Sequence, residues 1–277
     1  MPRLQKTIRC VAGFLFLVVI LSACEGIPVF VNPTPTPDTS HPPAPSKTIV
    51  FCNDESGSYP LSYFQSAARK VADWVGELVQ PGQAGSTIYV RYINSDSYSD
   101  TAYFTTIDVP SIPYEPGELT PLPTPPPLDP PARGTATAAT QATQIAYGNQ
   151  KTSVETLLSD SQKTVKAKTD QLRKMPHPGT SSSDIWGCFQ KATDLFLGTT
   201  GPNFLVIASD MEIAGPQQKV KVNLNNASVT VINFKCYDAN SCYSRENYWV
   251  GALKNDHPGP IHFLDPESTA QKDQLFN

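Results

Sequence analysis

The chain has 277 residues, 39% of them hydrophobic and only 17% charged, with a formal net charge of −4. That composition supports a buried core, while the acidic balance, with no basic patch to neutralise phosphates, argues against nucleic acid as a partner. Of the 27 prolines, most fall within residues 28–45 and 110–131, tracts that favour extended, solvated backbone and leave material for one domain.

The N-terminus reads as a targeting segment rather than as part of the fold. Arg3, Lys6 and Arg9 form a basic zone, followed by an apolar run over residues 11–21. That run is too short to span a bilayer comfortably, which takes about 20 apolar residues. It closes with Leu21-Ser22-Ala23-Cys24, which resembles the lipobox of bacterial lipoproteins. The resemblance implies a signal peptide over 1–23, lipidation of Cys24 and anchoring on the extracytoplasmic face of the cell membrane, where more than one acyl chain holds stably. An ordinary signal peptide or an uncleaved anchor is the alternative. Residues 24–46 then read as a Pro-rich tether.

The folded part spans 47–277, interrupted by a Pro-rich and helical insertion at 110–175. The apolar run 48–52 reads as a strand. Phe64, Ala68, Val71, Val75 and Leu78 recur at helical spacing and predict a helix over 61–79, ended by Gln80-Pro81-Gly82. Runs rich in β-branched and aromatic residues at 88–93 and 102–109 predict two strands, and the turn-formers of 94–100 join them as a hairpin. After the second Pro-rich tract comes an Ala/Thr/Gln-rich stretch, 134–143. From Val154, the positions Leu158, Ser161, Val165, Lys168, Leu172 and Met175 step by four and three. They predict a helix with a narrow, partly polar seam, read as a solvated helix covering the domain edge or as a partner-binding arm.

A helix over 184–197 and a continuous apolar strand at 204–208 follow, the latter suited to a central position covered on both faces. A strand at 229–234, a helix at 245–254 and a short strand at 261–264 complete the pattern. Strands alternating with helices predict an α/β fold with a mostly parallel sheet and one antiparallel edge strand.

Export permits disulfides among the remaining cysteines. Cys236 and Cys242 flank a short loop of turn-formers and are expected to bridge locally. Cys52 and Cys188 read more simply as small buried apolar residues. No paired-ligand spacing of Cys or His points to zinc.

The chemistry concentrates at Asp54-Glu55-Ser56-Gly57-Ser58, where the first strand hands over to the first helix. Asp54, Ser56 and Ser58 are short oxygen-bearing side chains at alternate positions of one turn. Such groups can converge on a small hard cation, which asks for oxygen ligands in near-octahedral geometry. Asp210 closes the second apolar strand, so the two acids share a rim if those strands are parallel. The hydroxyls of Thr180 and Ser183 stand just before the 184–197 helix, able to reach a cation or to cap the helix.

With these residues the chain resembles the von Willebrand factor A-type domain over most of 47–109 and 176–264. Asp54, Ser56 and Ser58 match the family's first metal loop, D-x-S-x-S. Ser183 stands where the second loop usually has Thr, with Thr180 the competing candidate, and Asp210 matches the acid of the third loop. Where the family often follows that acid with Gly, this chain has Met211-Glu212. The resemblance implies a doubly wound, Rossmann-like sheet with a metal-ion-dependent adhesion site holding Mg²⁺ (or Mn²⁺ or Ca²⁺). It further implies a protein partner that offers an exposed Asp or Glu to the cation. The expectation is thus a membrane-anchored binding module and not an enzyme. A metal-independent scaffold is the first alternative. An envelope hydrolase is the second, and it lacks a G-x-S-x-G turn and an obvious paired histidine.

Overall fold

Strands and helices form where the apolar pattern switches between periods of two and about 3.6 residues, and the described residues hold six strands and four long helices. The structure, a computed structural model, describes residues 46–114, 130–212 and 220–266; the signal segment, Cys24 and the tether up to residue 45 lie outside them. The strands are β1 (Lys47–Asp54), β2 (Ser86–Ile93), β3 (Tyr103–Val109), β4 (Asn203–Ala208), β5 (Ser228–Ile232) and β6 (Ile261–Phe263). The helices are α1 (Leu61–Glu77), α2 (Pro130–Arg173), α3 (Ile185–Phe196) and α4 (Ala239–Leu253). By compactness the chain divides into one unit of residues 39–122 and 147–277 and another of 1–38 and 123–146. Of the second unit, only the opening turns of α2 belong to the described residues.

The strands form a single sheet in the order β3-β2-β1-β4-β5-β6. All pairings are parallel except β2 with β3, which makes β3 the antiparallel edge strand. The fold is therefore α/β and Rossmann-like. The chain winds outward from β1 through β2 and β3, then returns to lay β4 against the other side of β1. The strand order reverses between β1 and β4, and in open α/β sheets ligands bind in the crevice beyond the carboxyl ends of the strands at such a reversal.

Alternation along β1 separates the two layers. Ile49 and Phe51 join one cluster with α1 residues such as Phe64, Ala68 and Val71. Val50 and Cys52 face the other, with Ile185, Trp186 and Phe189 of α3 and Trp249 of α4. β4 divides in the same way, with Val206 on the α1 side and Leu205 and Ile207 on the α3 side.

Three features differ from the sequence reading. Helix α2 begins at Pro130, well before Val154; its Ala/Thr/Gln-rich opening has helix-forming residues but no apolar stripe for a periodicity to reveal. The second half of α2 packs on the α1 side of the sheet through buried Val154, Val165 and Leu172, with Met175 just beyond its end. The seam residue Ser161 is buried with them, as is Thr169 beside the seam, and the two bond to carbonyls of their own helix, those of Leu157 and Lys166. Helix α4 starts at Ala239, earlier than its apolar pattern, because Asp238 and Ser241 form a reciprocal capping box.

The cysteines supply a correction. Cys52 and Cys188, read more simply as small buried apolar residues, are buried but also form a disulfide, as do Cys236 and Cys242. The first bond joins β1 to α3 across 136 residues, with both partners fully buried. Nothing local in the sequence marks that pairing; it follows only once the even positions of β1 are known to face α3.

The seam of α2 gives a direct test. Leu172 is fully buried whereas Leu157 is 37% exposed. Leu172→Ala is expected to cost about 2–5 kcal/mol in urea unfolding, and Leu157→Ala less than about 0.5–1 kcal/mol. Equal effects would show that this half of the helix does not dock as described.

Candidate metal centre

The register of β1 and β4 aligns Asn53 with Ala208, so Asp54 and the pair Ser209-Asp210 leave the sheet side by side at the reversal point. The Asp54 carboxylate is fully buried there. Its Oδ1 accepts the backbone N–H of Ser56 at 2.9 Å and the Ser183 hydroxyl at 3.1 Å. Its Oδ2 accepts the Ser209 hydroxyl at 2.7 Å. One side chain therefore ties together the loops after β1 and β4 and the turn before α3.

Each loop has a local reason for its shape. The segment before α3 lies alongside the first loop in a short parallel bridge between Ser56 and Thr180. There the Thr180 N–H donates to Glu55 O at 3.0 Å and the Gly57 N–H to Thr180 O at 3.1 Å. Thr180 thus contributes backbone to the rim, and of the two hydroxyl candidates it is Ser183 that reaches Asp54.

Asp184 caps α3, accepting the Gly187 N–H at 2.8 Å with Oδ1 and the Ser97 N–H at 3.2 Å with Oδ2. The approach is so close that a Cβ on Gly187 would lie 2.0 Å from Asp184 Oδ2 and 2.8 Å from the backbone nitrogen of Tyr98. The capping role is therefore taken by Asp184 and not by Ser183. Likewise the N-cap of α1 is Pro60, without a side-chain cap, so Ser58 does not serve that helix either. Neither serine caps the helix that follows it.

The third loop is held open without a glycine. Met211 sits at φ 57°, a left-handed conformation uncommon for a residue with a side chain. Its side chain is buried in the α3–α4 layer. Its N–H bonds Ser209 Oγ at 2.8 Å, and its carbonyl accepts Trp249 Nε1–H at 3.0 Å. Arg245 donates to the Asp210 carbonyl at 2.6 Å and lies 3.9 Å from Glu212 Oε2. Glu212 is thereby drawn toward Arg245.

The rim is electrostatically negative. Asp210 is buried and its carboxyl is held above the usual carboxylate range, chiefly by burial and further by the charge of Asp54, which the Glu212 N–H and Arg245 only partly offset. Glu55 is also raised, again chiefly by burial. A cation placed among these groups would relieve both effects.

The donor set suits such an ion. It consists of oxygens alone, two carboxylates with several hydroxyls, as hard cations require. Ser56 Oγ and Ser58 Oγ lie 3.1 Å apart, close to the roughly 3.0 Å between adjacent ligands of an octahedron with bonds of about 2.1 Å. Ser58 is exposed at the open side, while Ser56 and Ser183 are buried. Among the described residues, no group of three or more His, Cys, Asp or Glu side chains gathers as a metal cage; the hydroxyls are what distinguish this set. Ser209 was not singled out in the sequence reading, although a hydroxyl directly after a fully apolar strand and before an acid was the signal available.

No protein-family model matches the chain, and no similar curated protein is found.

The raised Asp210 carboxyl has a consequence for stability. The folded chain keeps that proton to higher pH than the unfolded one, so the ionised group disfavours folding progressively as pH rises through its folded pKa. In chelator at pH 7, Asp210→Asn is expected to be more stable than the wild type in urea unfolding. The difference should fade as pH falls toward about 4, the ordinary carboxylate value. A variant less stable than wild type at pH 7 would contradict this electrostatic account.

Proposed function

We propose that this chain is a lipid-anchored, extracytoplasmic binding module of von Willebrand factor A type, which captures an acidic residue of a protein partner through a divalent cation. The observation that carries the reading is the convergence of Asp54, Ser56, Ser183 and Ser209 from three loops at the reversal point of the sheet, with Asp210 adjacent. Ser56, Ser58 and Ser183 would supply hydroxyl oxygens, with Asp54 and Asp210 balancing the charge; Mg²⁺ fits, with Mn²⁺ or Ca²⁺ as alternatives. When bound, the ion supplies a Lewis-acidic position that a partner's Asp or Glu can complete. The chain's own residues orient and desolvate that position: Asp54 holds the Ser183 hydroxyl and the Ser56 backbone N–H, and Arg245 holds Glu212 to one side.

A second reading is favoured by the same hydrogen bonds. Asp54 already receives donors from three loops, so that carboxylate is satisfied without an ion, as a metal-independent scaffold would require. Titration of magnesium into the chain from Lys47 onward separates the two by calorimetry. A saturable heat, abolished by chelator and by Asp54→Ala, is expected; its absence would leave the scaffold.

Anchoring is tested separately. Among the described residues no helix is long and apolar enough to cross a membrane, and attachment is assigned to Cys24. Cys24→Ser is expected to move the protein from the membrane fraction to the soluble fraction, and unchanged membrane association would contradict lipidation.

A further inference from the structure

We infer that the Cys52–Cys188 disulfide is a positioning element of the rim, clamping Ser183 against Asp54 so that the cation site is complete only in the oxidised chain. The inference rests on the cation reading above, but its geometry stands apart from it. Cys52 lies two residues before Asp54 in β1. Side chains two apart in a strand share a face, so Asp54 leaves β1 on the side that Cys52 turns toward α3.

Cys188 lies five residues after Ser183, in the first turn of α3, immediately after the Gly187 whose N–H is capped by Asp184. The bond brings the two Cα atoms to 6.5 Å. The contact it supports, Ser183 Oγ–H to Asp54, joins residues 129 apart in sequence. Through the disulfide the same two groups are linked by a handful of residues. Effective concentration falls roughly as the −3/2 power of the connecting length, so the crosslink favours this contact over the uncrosslinked chain.

The location of the bond singles out this role. Both sulfurs are fully buried against Ile185, Trp186 and Phe189, which shields them from solvent reductants. Cys236–Cys242 instead closes a sequence separation of 6, with both residues only partly buried, and touches none of the Asp54 hydrogen bonds. Two disulfides in one chain thus provide a test and its internal control.

Three proteins are compared with the oxidised wild type: Cys52→Ala/Cys188→Ala, the volume-conserving Cys52→Val/Cys188→Ala, and Cys236→Ala/Cys242→Ala. Each is checked for a cooperative melt above the assay temperature. Magnesium affinity by calorimetry is expected to weaken by about tenfold or more in the first two, the scale seen when groups that orient metal ligands are removed, and to stay unchanged in the third. Adding Ser183→Ala to the Cys52→Ala/Cys188→Ala pair should produce little further loss, because the bond acts through that hydroxyl.

In metal-free protein, hydrogen exchange of the Ser56 and Asp184 amides should accelerate in the first two variants, while the amides of β1 and β4 keep their protection. Unchanged affinity together with unchanged exchange overturns the inference. Failure of both Cys52/Cys188 variants to fold also overturns it, since the bond would then be a requirement of the fold. If the oxidised wild type binds no magnesium, the cation reading falls, and the exchange data alone decide whether the bond positions Ser183.

Discussion

The rim of this protein depends on one buried negative charge. A carboxylate without solvent is tolerated only when its oxygens are hydrogen-bonded, and Asp54 meets that condition by recruiting a backbone N–H and two serine hydroxyls from three separate loops. The requirement runs both ways. The loops are also tied by backbone bonds, among them Thr180 N–H to Glu55 O and Asp184 N–H to Asn94 O, and the charge adds the point at which all three meet. The parallel bridge at Thr180 and the cap at Asp184 then fix the backbone on either side of Ser183.

Because strand order reverses between β1 and β4, these loops diverge from the sheet and leave a crevice. A second acid, Asp210, stands in it close enough to feel the charge of Asp54. Burying two carboxylates in one crevice is unfavourable unless something positive compensates. Arg245 serves in part, although its hydrogen bond goes to the Asp210 carbonyl rather than to the carboxylate. The residual imbalance is the physical argument for an ion. The completeness of the Asp54 hydrogen bonds is the argument for a rim that stands without one. Both arguments arise from the same few residues.

Much of this was legible in the sequence. The α/β class, the antiparallel β3 edge and nearly all element positions follow from periodicity and turn chemistry, because strands buried on both faces and amphipathic helices leave strong local patterns. Asp54, Ser56, Ser58 and Asp210 were legible because short polar side chains directly after an apolar strand have few places to go. Ser209 escaped notice because a single serine has no spacing pattern, and its role appears only when β4 lies beside β1. The Cys52–Cys188 bond escaped for the same reason at longer range. The first turns of α2 were missed because a helix without an apolar stripe carries no period, and Ser183 and Thr180 could not be separated without the bridge that turns Thr180 into a backbone partner.

Helix α2 carries a consequence of its own. Its buried hydroxyls, Ser161 and Thr169, are satisfied by carbonyls of the same helix, so lifting this stretch away breaks no hydrogen bond that those two side chains make to the sheet. Among the described residues, the polar links from this second half of the helix to the rest of the domain run from Lys168 to Thr105 and from Arg173 to Asp73. Sub-global opening should therefore peel from the upstream turns toward Arg173, like a strap buckled at one end.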